Sequence, residues 1–208
     1  MDMYARLQTT RDVPSGPDTE ALRTQVTEMI AGHPGFAGMF LMEQLGIGWG
    51  AMVTLWQTRQ DAVLASERSA AARGPRPVTL HSDDVYEVEE DWPGVAAGER
   101  PEAATVIYFD GPLSAARLEA ARWSSRERIL PATRDLPGRV RTLVLFDPDE
   151  AKAAIVTLAT SMPALEAIGQ AVMSTELLPG EDPALLTGPD RFEICRVVGY
   201  AAERLPTA

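Results

Sequence analysis

The segment Ala-Met-Val-Thr-Leu at residues 51–55 has a counterpart 103 residues later, Ala-Ile-Val-Thr-Leu at residues 154–158. Two further pairs follow the same order at nearly the same spacing: His-Pro-Gly at 33–35 with Leu-Pro-Gly at 136–138, and Asp-Val-Tyr-Glu-Val at 84–88 with Asp-Arg-Phe-Glu-Ile at 190–194. Self-similarity at one fixed period is the sequence signature of repeated structural units. The three pairs therefore predict two copies of one fold.

Each copy is predicted to contain a strand, a helix, two strands, a second helix and a last strand. The strands of the first copy are residues 3–10, 36–45, 51–56 and 85–89, and those of the second are 105–109, 139–146, 153–159 and 192–199. The predicted helix-starting residues are Asp18, Thr58, Ser114 and Ser161. Their side-chain oxygens can accept hydrogen bonds from the first turn of a helix.

A single βαββαβ unit covers one face of its sheet with helices and leaves the other face to be buried against something else. Two copies in one chain solve this by packing sheet against sheet. The predicted fold class is therefore α+β, with two tandem ferredoxin-like units forming one intrachain barrel of the dimeric α+β type. The predicted boundaries are residues 1–91 for the first repeat, 92–102 for a linker and 103–208 for the second. The barrel would be complete within one chain, and further oligomerisation stays open.

The amino-acid composition limits the classes of partner that the chain is expected to bind. The chain is 45% hydrophobic and 24% charged, with 30 acidic and 19 basic residues and a formal net charge of −11. An acidic surface disfavours nucleic acid and anionic membranes, so neither is expected as a partner. No apolar run approaches the roughly 20 residues of a membrane span, and no signal-like segment is evident, so a cytoplasmic location is expected. The single cysteine, Cys195, excludes an internal disulfide, and no metal-ligand cluster is seen.

Two segments of the first copy resemble a known family. They are Pro-Gly-Phe-Ala-Gly-Met-Phe at 34–40 and Val-Thr-Leu-Trp-Gln-Thr-Arg-Gln-Asp-Ala at 53–62. On them, the chain resembles the antibiotic-biosynthesis-monooxygenase-like branch of the dimeric α+β barrel superfamily. The resemblance implies a small-molecule enzyme, since the family includes cofactor-free monooxygenases acting on polycyclic phenols, quinol monooxygenases and haem-degrading enzymes. Fold alone does not select among these reactions.

The haem-degrading branch of that family can be tested residue by residue. Its members use an asparagine on the first strand, and a tryptophan and a histidine on the second helix. The first strand here has no asparagine, and residues 59–73 contain neither tryptophan nor histidine. Without an imidazole there is no evident axial ligand for iron. We therefore expect no haem, no metal and no other cofactor.

Three residues of the first copy are candidate substrate-binding or catalytic groups. Trp56 ends the third strand, where it could stack on a flat aromatic ligand or simply belong to the core. Tyr4 and Arg6 lie on the same side of the first strand, because side chains alternate along a strand. If that side faces the helices, Arg6 could hold a phenolate or carboxylate. If it faces solvent, Arg6 is an edge arginine.

Methionines are the next candidates. Met39 and Met52, together with Met29 and Met42, could give the first copy a flexible apolar lining suited to a hydrophobic ligand. Core packing accounts for them equally well.

The two histidines are candidate catalytic bases. His33 lies in the turn that ends the first helix, and His81 is expected in a loop before the fourth strand. An imidazole titrates near neutral pH and suits proton transfer. A histidine without a partner evident in the sequence is more often structural or exposed.

Two functions remain open at this point. The first is a cofactor-independent monooxygenase-like enzyme for an aromatic or polyketide-type substrate, in which the substrate anion activates dioxygen and the protein binds it and excludes water. The second is a non-catalytic ligand-binding or stress-response barrel. In either case a small hydrophobic or aromatic ligand is expected between the sheet and the helices of the first copy.

Overall fold

The computed structural model describes residues 3–11, 18–45, 48–71 and 79–201. The chain has an α+β fold in which eight strands are hydrogen-bonded as a closed barrel in the order β1-β3-β2-β8-β5-β7-β6-β4. It divides into two compact units, unit 1 formed by Met1–Val88 with Ile194–Ala208, and unit 2 by Glu89–Glu193.

Unit 1 contains β1 (Tyr4–Arg11), α1 (Asp18–Ala31), β2 (Phe36–Gln44), β3 (Gly50–Trp56), α2 (Arg59–Ala71) and most of β4 (Thr79–Pro93). Unit 2 contains β5 (Ala103–Phe109), α3 (Ala115–Ser124), a π-helical turn (Ser125–Ile129), α4 (Leu130–Thr133), β6 (Arg139–Asp147), β7 (Lys152–Ala159) and α5 (Met162–Met173). The last strand, β8 (Arg191–Ala201), begins in unit 2 and continues in unit 1. No helix in the described part of the chain is both long and apolar enough to cross a membrane.

In unit 1, β3 lies between β1 and β2 and pairs antiparallel with both. β1 also pairs with β4, and β2 with β8. In unit 2, β7 takes the corresponding central place between β5 and β6. Each unit therefore has the strand pairings that the predicted βαββαβ order requires around its central strand.

The Pro-Gly segments form the same corner in both units. Gly35 and Gly138 have φ angles of +73° and +77°, a left-handed conformation that glycine adopts without a steric penalty. Their carbonyl oxygens accept hydrogen bonds from Gln57 N–H at 2.8 Å and Thr160 N–H at 2.9 Å. A Cβ on Gly35 would lie 2.2 Å from the Asp61 carboxylate, so a side chain does not fit there. A β-bulge follows each glycine, on β2 and on β6.

Three of the four predicted helix starts are confirmed by capping hydrogen bonds. The hydroxyl groups of Thr58, Ser114 and Ser161 accept from the backbone N–H three residues later, at 3.1, 3.2 and 3.3 Å. Each bond satisfies one of the backbone donors that a helix leaves unpaired in its first turn. The predicted cap at Asp18 lies outside the described side chains.

The fourth strand of the first copy was predicted too short. β4 begins at Thr79 and ends at Pro93 rather than covering residues 85–89. Its acidic residues have low intrinsic preference for strands, but β1 extends to Arg11 and pairs with β4 as far as Thr79. Pairing with a neighbouring strand outweighs local propensity here. His81 consequently lies within a strand and not in a loop.

Candidate functional site

One face of the unit 1 sheet gathers most of the residues predicted for the site. Tyr4 and Arg6 project from the same side of β1, and they pair with Trp56 and Thr54 of β3. This is the face that the helices cover. The buried cluster on it comprises Ile30 of α1, Phe36 and Met39 of β2, Trp56 of β3, and Ala62 and Ala65 of α2.

Trp56 forms an aromatic wall in this cluster. Its side chain is fully buried, and its ring meets that of Phe36 edge to face, with centroids 5.8 Å apart and planes at 82°. The indole N–H donates a hydrogen bond to Thr54 Oγ1 at 2.8 Å. A buried tryptophan with its polar edge satisfied and one face packed holds a fixed orientation.

Tyr4 and Met52 are the accessible side of the same cluster. Both are half-buried and pack against the buried members, whereas Met39 is fully buried. The other two methionines of the predicted lining are not part of it. Met29 is 43% exposed because it points away from the core, where its neighbour Ile30 points inward. Met42 is buried, but it alternates onto the opposite face of the sheet.

Arg6 lies on the helix-covered face and is 1% exposed. It donates two hydrogen bonds to the Asp83 carboxylate of β4, from Nε at 2.6 Å and from Nη2 at 2.8 Å. This bidentate geometry gives the strongest class of side-chain ion pair. The guanidinium is therefore a buried and neutralised charge, not an edge arginine exposed to solvent.

Asp83 is the centre of a polar network on an otherwise apolar face. Besides Arg6, it accepts hydrogen bonds from Gln8 Nε2 at 3.1 Å and from the Ser66 hydroxyl of α2 at 2.8 Å. Burial raises the pKa of Asp83, but the hydrogen bonds from Arg6, Ser66 and Gln8 and the charge of Arg6 together outweigh burial and hold that pKa below its ordinary value. The carboxylate is ionised at neutral pH, and the network ties β1, β4 and α2 together.

The two histidines contact residues that are not part of the buried cluster. His33 is half-buried in the turn after α1, with its Nδ1 at 3.3 Å from Arg68 Nη1 of α2. His81 is exposed on β4, and its ring meets the Trp49 ring edge to face at a centroid distance of 5.3 Å. The guanidinium of Arg11 also lies over the Trp49 ring, 4.3 Å from its centroid. The two histidines thus belong to separate surroundings.

Three members of the site were missed by sequence reasoning: Asp83, Ser66 and Gln8. Asp83 was missed because the fourth strand was predicted to start two residues after it. Gln8 shares the side of β1 that holds Tyr4 and Arg6, so strand alternation could have identified it. Nothing in the sequence alone signals that Ser66 of α2 lies within hydrogen-bond distance of Asp83.

Comparison with known proteins adds information on the fold. No protein-family model matches the chain, and no curated protein matches it in sequence. Among solved structures, a provisionally named monooxygenase from Fusobacterium nucleatum subsp. nucleatum has a TM-score of 0.66 at 10% identity, covering 96% of this chain and 94% of its own. An anthrone oxidase-like protein has a TM-score of 0.58 at 13% identity, covering 99% and 95%. A mutant chlorite dismutase from Candidatus Nitrospira defluvii has a TM-score of 0.61 at 12% identity, covering 94% and 90%.

The fold is that of the dimeric α+β barrels. At these identities the likeness shows the fold and leaves the chemistry to be argued from the site.

Neither histidine of the chain belongs to the buried cluster of unit 1, where an imidazole would be needed to bind haem iron. The chain has two histidines, and both have been located: one beside Arg68 and one on the surface beside Trp49. The helix-covered face of unit 1 offers a carboxylate already bound to Arg6 rather than an imidazole. In the described ranges no group of three or more histidine, cysteine, aspartate or glutamate side chains is placed to hold a metal ion.

Proposed function

We propose that this α+β barrel is an oxidative small-molecule enzyme that uses no cofactor and acts on an aromatic or polyketide-type substrate between the sheet and the helices of unit 1. The observation that carries the proposal is the combination on one helix-covered face of an aromatic wall, Trp56, and a buried polar network centred on Asp83. Apolar pockets with a few convergent polar groups are the usual form of small-molecule sites.

The names of two structural neighbours support the same class of reaction. One is a provisionally named monooxygenase and another is an anthrone oxidase-like protein. We further propose that the chain belongs to the antibiotic-biosynthesis-monooxygenase-like branch and that its two halves are tandem repeats. The equal Pro-Gly corners and β-bulges of the two units support a common origin.

The proposed chemistry needs electrons only from the substrate. In a tricyclic anthrone, the central CH₂ group reacts with O₂ to give a carbonyl group and one molecule of water. One oxygen atom enters the product and the other leaves as water with the two hydrogens of the CH₂ group. The reaction starts when the substrate loses a proton, since its anion reduces dioxygen more readily.

The residues of unit 1 would bind the substrate and assist its loss of a proton. Tyr4 and Met52, which are half-buried, would contact the ring system, with Trp56 and Met39 forming the floor behind them. Arg6, held in place by Asp83, would orient the oxygen of the substrate by a charge-assisted hydrogen bond. The apolar cluster would exclude water from the anion. His33 and His81 are the proposed proton acceptors, because imidazole is the side chain best suited to that role near neutral pH.

A non-catalytic ligand-binding barrel is the second candidate. It is favoured by the complete burial of Trp56 and Met39 and by the pairing of Arg6 with Asp83. Under this alternative the face would bind a small hydrophobic or aromatic ligand without changing it. For both candidates we propose a cytoplasmic protein whose barrel is complete in one chain, and sedimentation velocity would test the second point.

Oxygen uptake with anthrone as substrate tests the proposal. The purified chain, with a metal chelator present and no flavin added, should consume one O₂ per anthrone and form the quinone faster than heat-denatured protein. Arg6→Met should slow turnover by about tenfold or more, as expected for loss of one charge-assisted contact. The matched control is Arg141→Met in unit 2, which removes a bidentate pair with Asp91 at 2.7 and 2.6 Å outside the site.

Binding of anthrone without oxygen uptake would reject the enzyme and favour the binding protein. His33→Gln and His81→Gln, assayed separately, would show which imidazole accepts the proton. Unchanged rates in both variants would remove the histidines from the mechanism.

A further inference from the structure

Unit 2 has small side chains where unit 1 has large aromatic ones. Tyr4 pairs with Trp56 across β1 and β3, and in the same register of unit 2 Ala103 pairs with Ala159 across β5 and β7. Both alanines are fully buried and belong to the apolar cluster under α5. This corner of unit 2 therefore has two methyl groups in place of a phenol and an indole.

Arg139 occupies the place next to these alanines. It pairs with Ala159, as Phe36 of unit 1 pairs with Trp56. Its side chain is 0% exposed. A guanidinium group thus replaces a phenyl ring in the same position of the sheet.

The contacts of Arg139 leave part of its hydrogen-bonding capacity unused. Nε donates to Thr142 Oγ1 at 3.4 Å, and Nη2 donates to the Trp92 carbonyl oxygen at 3.2 Å. Nη1 is buried and has no hydrogen-bond partner in the part of the chain that the structure describes. Both acceptors are neutral, so no hydrogen bond from Arg139 reaches a carboxylate within the described ranges.

A buried charge without a counter-charge is unfavourable, because it has lost its hydration. Burial accordingly lowers the pKa of Arg139, and the attraction of the exposed Asp135 carboxylate offsets this only in part. A group in this situation gains most from an anion that both neutralises it and accepts its remaining N–H groups.

A second donor lies beside the first. The hydroxyl groups of Thr142 and Thr157 are 3.3 Å apart, so one donates to the other. Since Thr142 also accepts from Arg139 Nε, the pair of hydroxyls retains one hydrogen for a further acceptor. The spare hydroxyl hydrogen and the Nη1 N–H groups are thus two separate sets of donors in the same corner of unit 2.

We propose that Arg139, with the hydroxyl pair Thr142 and Thr157, binds the carboxylate group of a small organic anion between the sheet and α5 of unit 2. The walls of the site are apolar: Ala103, Ala159 and Leu165 belong to the same cluster. The ligand therefore carries a compact hydrophobic body behind its carboxylate. Because Arg139 is fully buried, the corner must open for the anion to enter, and binding is expected to be slow.

Calorimetric titration of the full chain with benzoate tests this site, with the neutral benzamide as the matched ligand. Wild-type protein should bind benzoate saturably at one site and bind benzamide at least tenfold more weakly. Arg139→Met keeps the length and apolar stem of the side chain and should weaken benzoate binding at least tenfold. Arg141→Met, two residues away on the same strand and paired with Asp91, should leave benzoate affinity within twofold.

Nitrate, a planar monoanion without a hydrophobic body, serves as the second probe. Failure of both benzoate and nitrate to bind the wild-type chain would overturn the proposal, as would equal benzoate affinity in the Arg139→Met variant. If Arg139→Met does not fold, Arg139→Lys and Thr142→Val supply the test. Arg139→Lys retains the charge and should keep part of the benzoate affinity, whereas Thr142→Val should weaken benzoate binding several-fold. Unchanged benzoate affinity in both variants would overturn the proposal.

Discussion

Unit 1 and unit 2 each bury an arginine beneath their helices, and they treat its charge in opposite ways. Arg6 of unit 1 makes a bidentate pair with Asp83 and is neutralised within the protein. Among the described residues, Arg139 of unit 2 donates to a hydroxyl and a carbonyl oxygen, and its Nη1 has no hydrogen-bond partner. A buried arginine of this fold can therefore have a carboxylate partner within the protein, as Arg6 has, or donate to neutral acceptors, as Arg139 does.

The two units also differ in the aromatic side chains at matching positions of their sheets. Unit 1 has Trp56 and Phe36 on the same helix-covered face as its ion pair, which suits a flat apolar ligand held on a rigid wall. Unit 2 has Ala159 at the place of Trp56 and Arg139 itself at the place of Phe36, which suits a ligand that brings its own charge to Arg139. One fold thus presents two chemically different sheet–helix interfaces.

Breaking the ion pair of unit 1 should have the largest effect. Asp83→Leu leaves the Arg6 guanidinium buried without its carboxylate and should lower the free energy of unfolding by about 3–5 kcal/mol. Adding Arg6→Met should restore most of that loss, because the buried charge is then gone. Urea denaturation of the two single variants and the double variant measures both effects.

The control for this experiment is Asp91→Leu, since Asp91 is the more exposed partner of Arg141. Exposed ion pairs contribute about 0–1 kcal/mol, so this variant should change stability by no more than that. Equal losses in Asp83→Leu and Asp91→Leu would contradict the role given to burial of Arg6.

Removing Arg139 of unit 2 should change the free energy of unfolding in the opposite direction from breaking the ion pair of unit 1. Arg139→Met eliminates a buried charge and its unpartnered N–H groups, and we expect a change between zero and about 2 kcal/mol of added stability. Thermal and urea unfolding in anion-free buffer would measure it. A loss above about 2 kcal/mol would mean that Arg139 is structural in the way that Arg6 is.

The ion pair of unit 1 should also make the stability of the chain depend on pH. Because the folded pKa of Asp83 is lowered, its contribution is fully present above the unfolded value near 3.8 and is lost as pH falls through the folded pKa. The stability difference between wild type and Asp83→Asn should therefore be constant from neutral pH to about pH 5 and shrink below about pH 4. A difference that grows as the pH falls would contradict this assignment.

Most of the fold could be predicted from the sequence because its signals are local and repeated. The Pro-Gly corners, the caps at Thr58, Ser114 and Ser161, and the alternation along the strands all point to the observed elements. The strand containing Asp83 could not be delimited this way. Its pairing with β1 is a long-range property, and acidic residues carry a local preference against strands.

The site was predicted in part for the same reason. Alternation placed Tyr4 and Arg6 on one side of β1, but the sequence could not show that Asp83 neutralises Arg6. Arg139 had a signal that was not used. The repeat that aligns residues 33–35 with 136–138 also aligns Arg139 with Phe36. It thereby places a charged residue at a position that is apolar in the first copy.

The central claim, that the aromatic ligand site lies in unit 1, is tested most directly by titrating 2-naphthol into two matched tryptophan variants. Trp56→Phe alters the buried wall of unit 1, whereas Trp123→Phe alters a 43% exposed tryptophan on α3 of unit 2. We predict that Trp56→Phe weakens 2-naphthol binding about fivefold, because the smaller phenyl ring offers less aromatic surface to the ligand, and that Trp123→Phe leaves binding unchanged. Loss of binding in Trp123→Phe with wild-type affinity in Trp56→Phe would contradict the account.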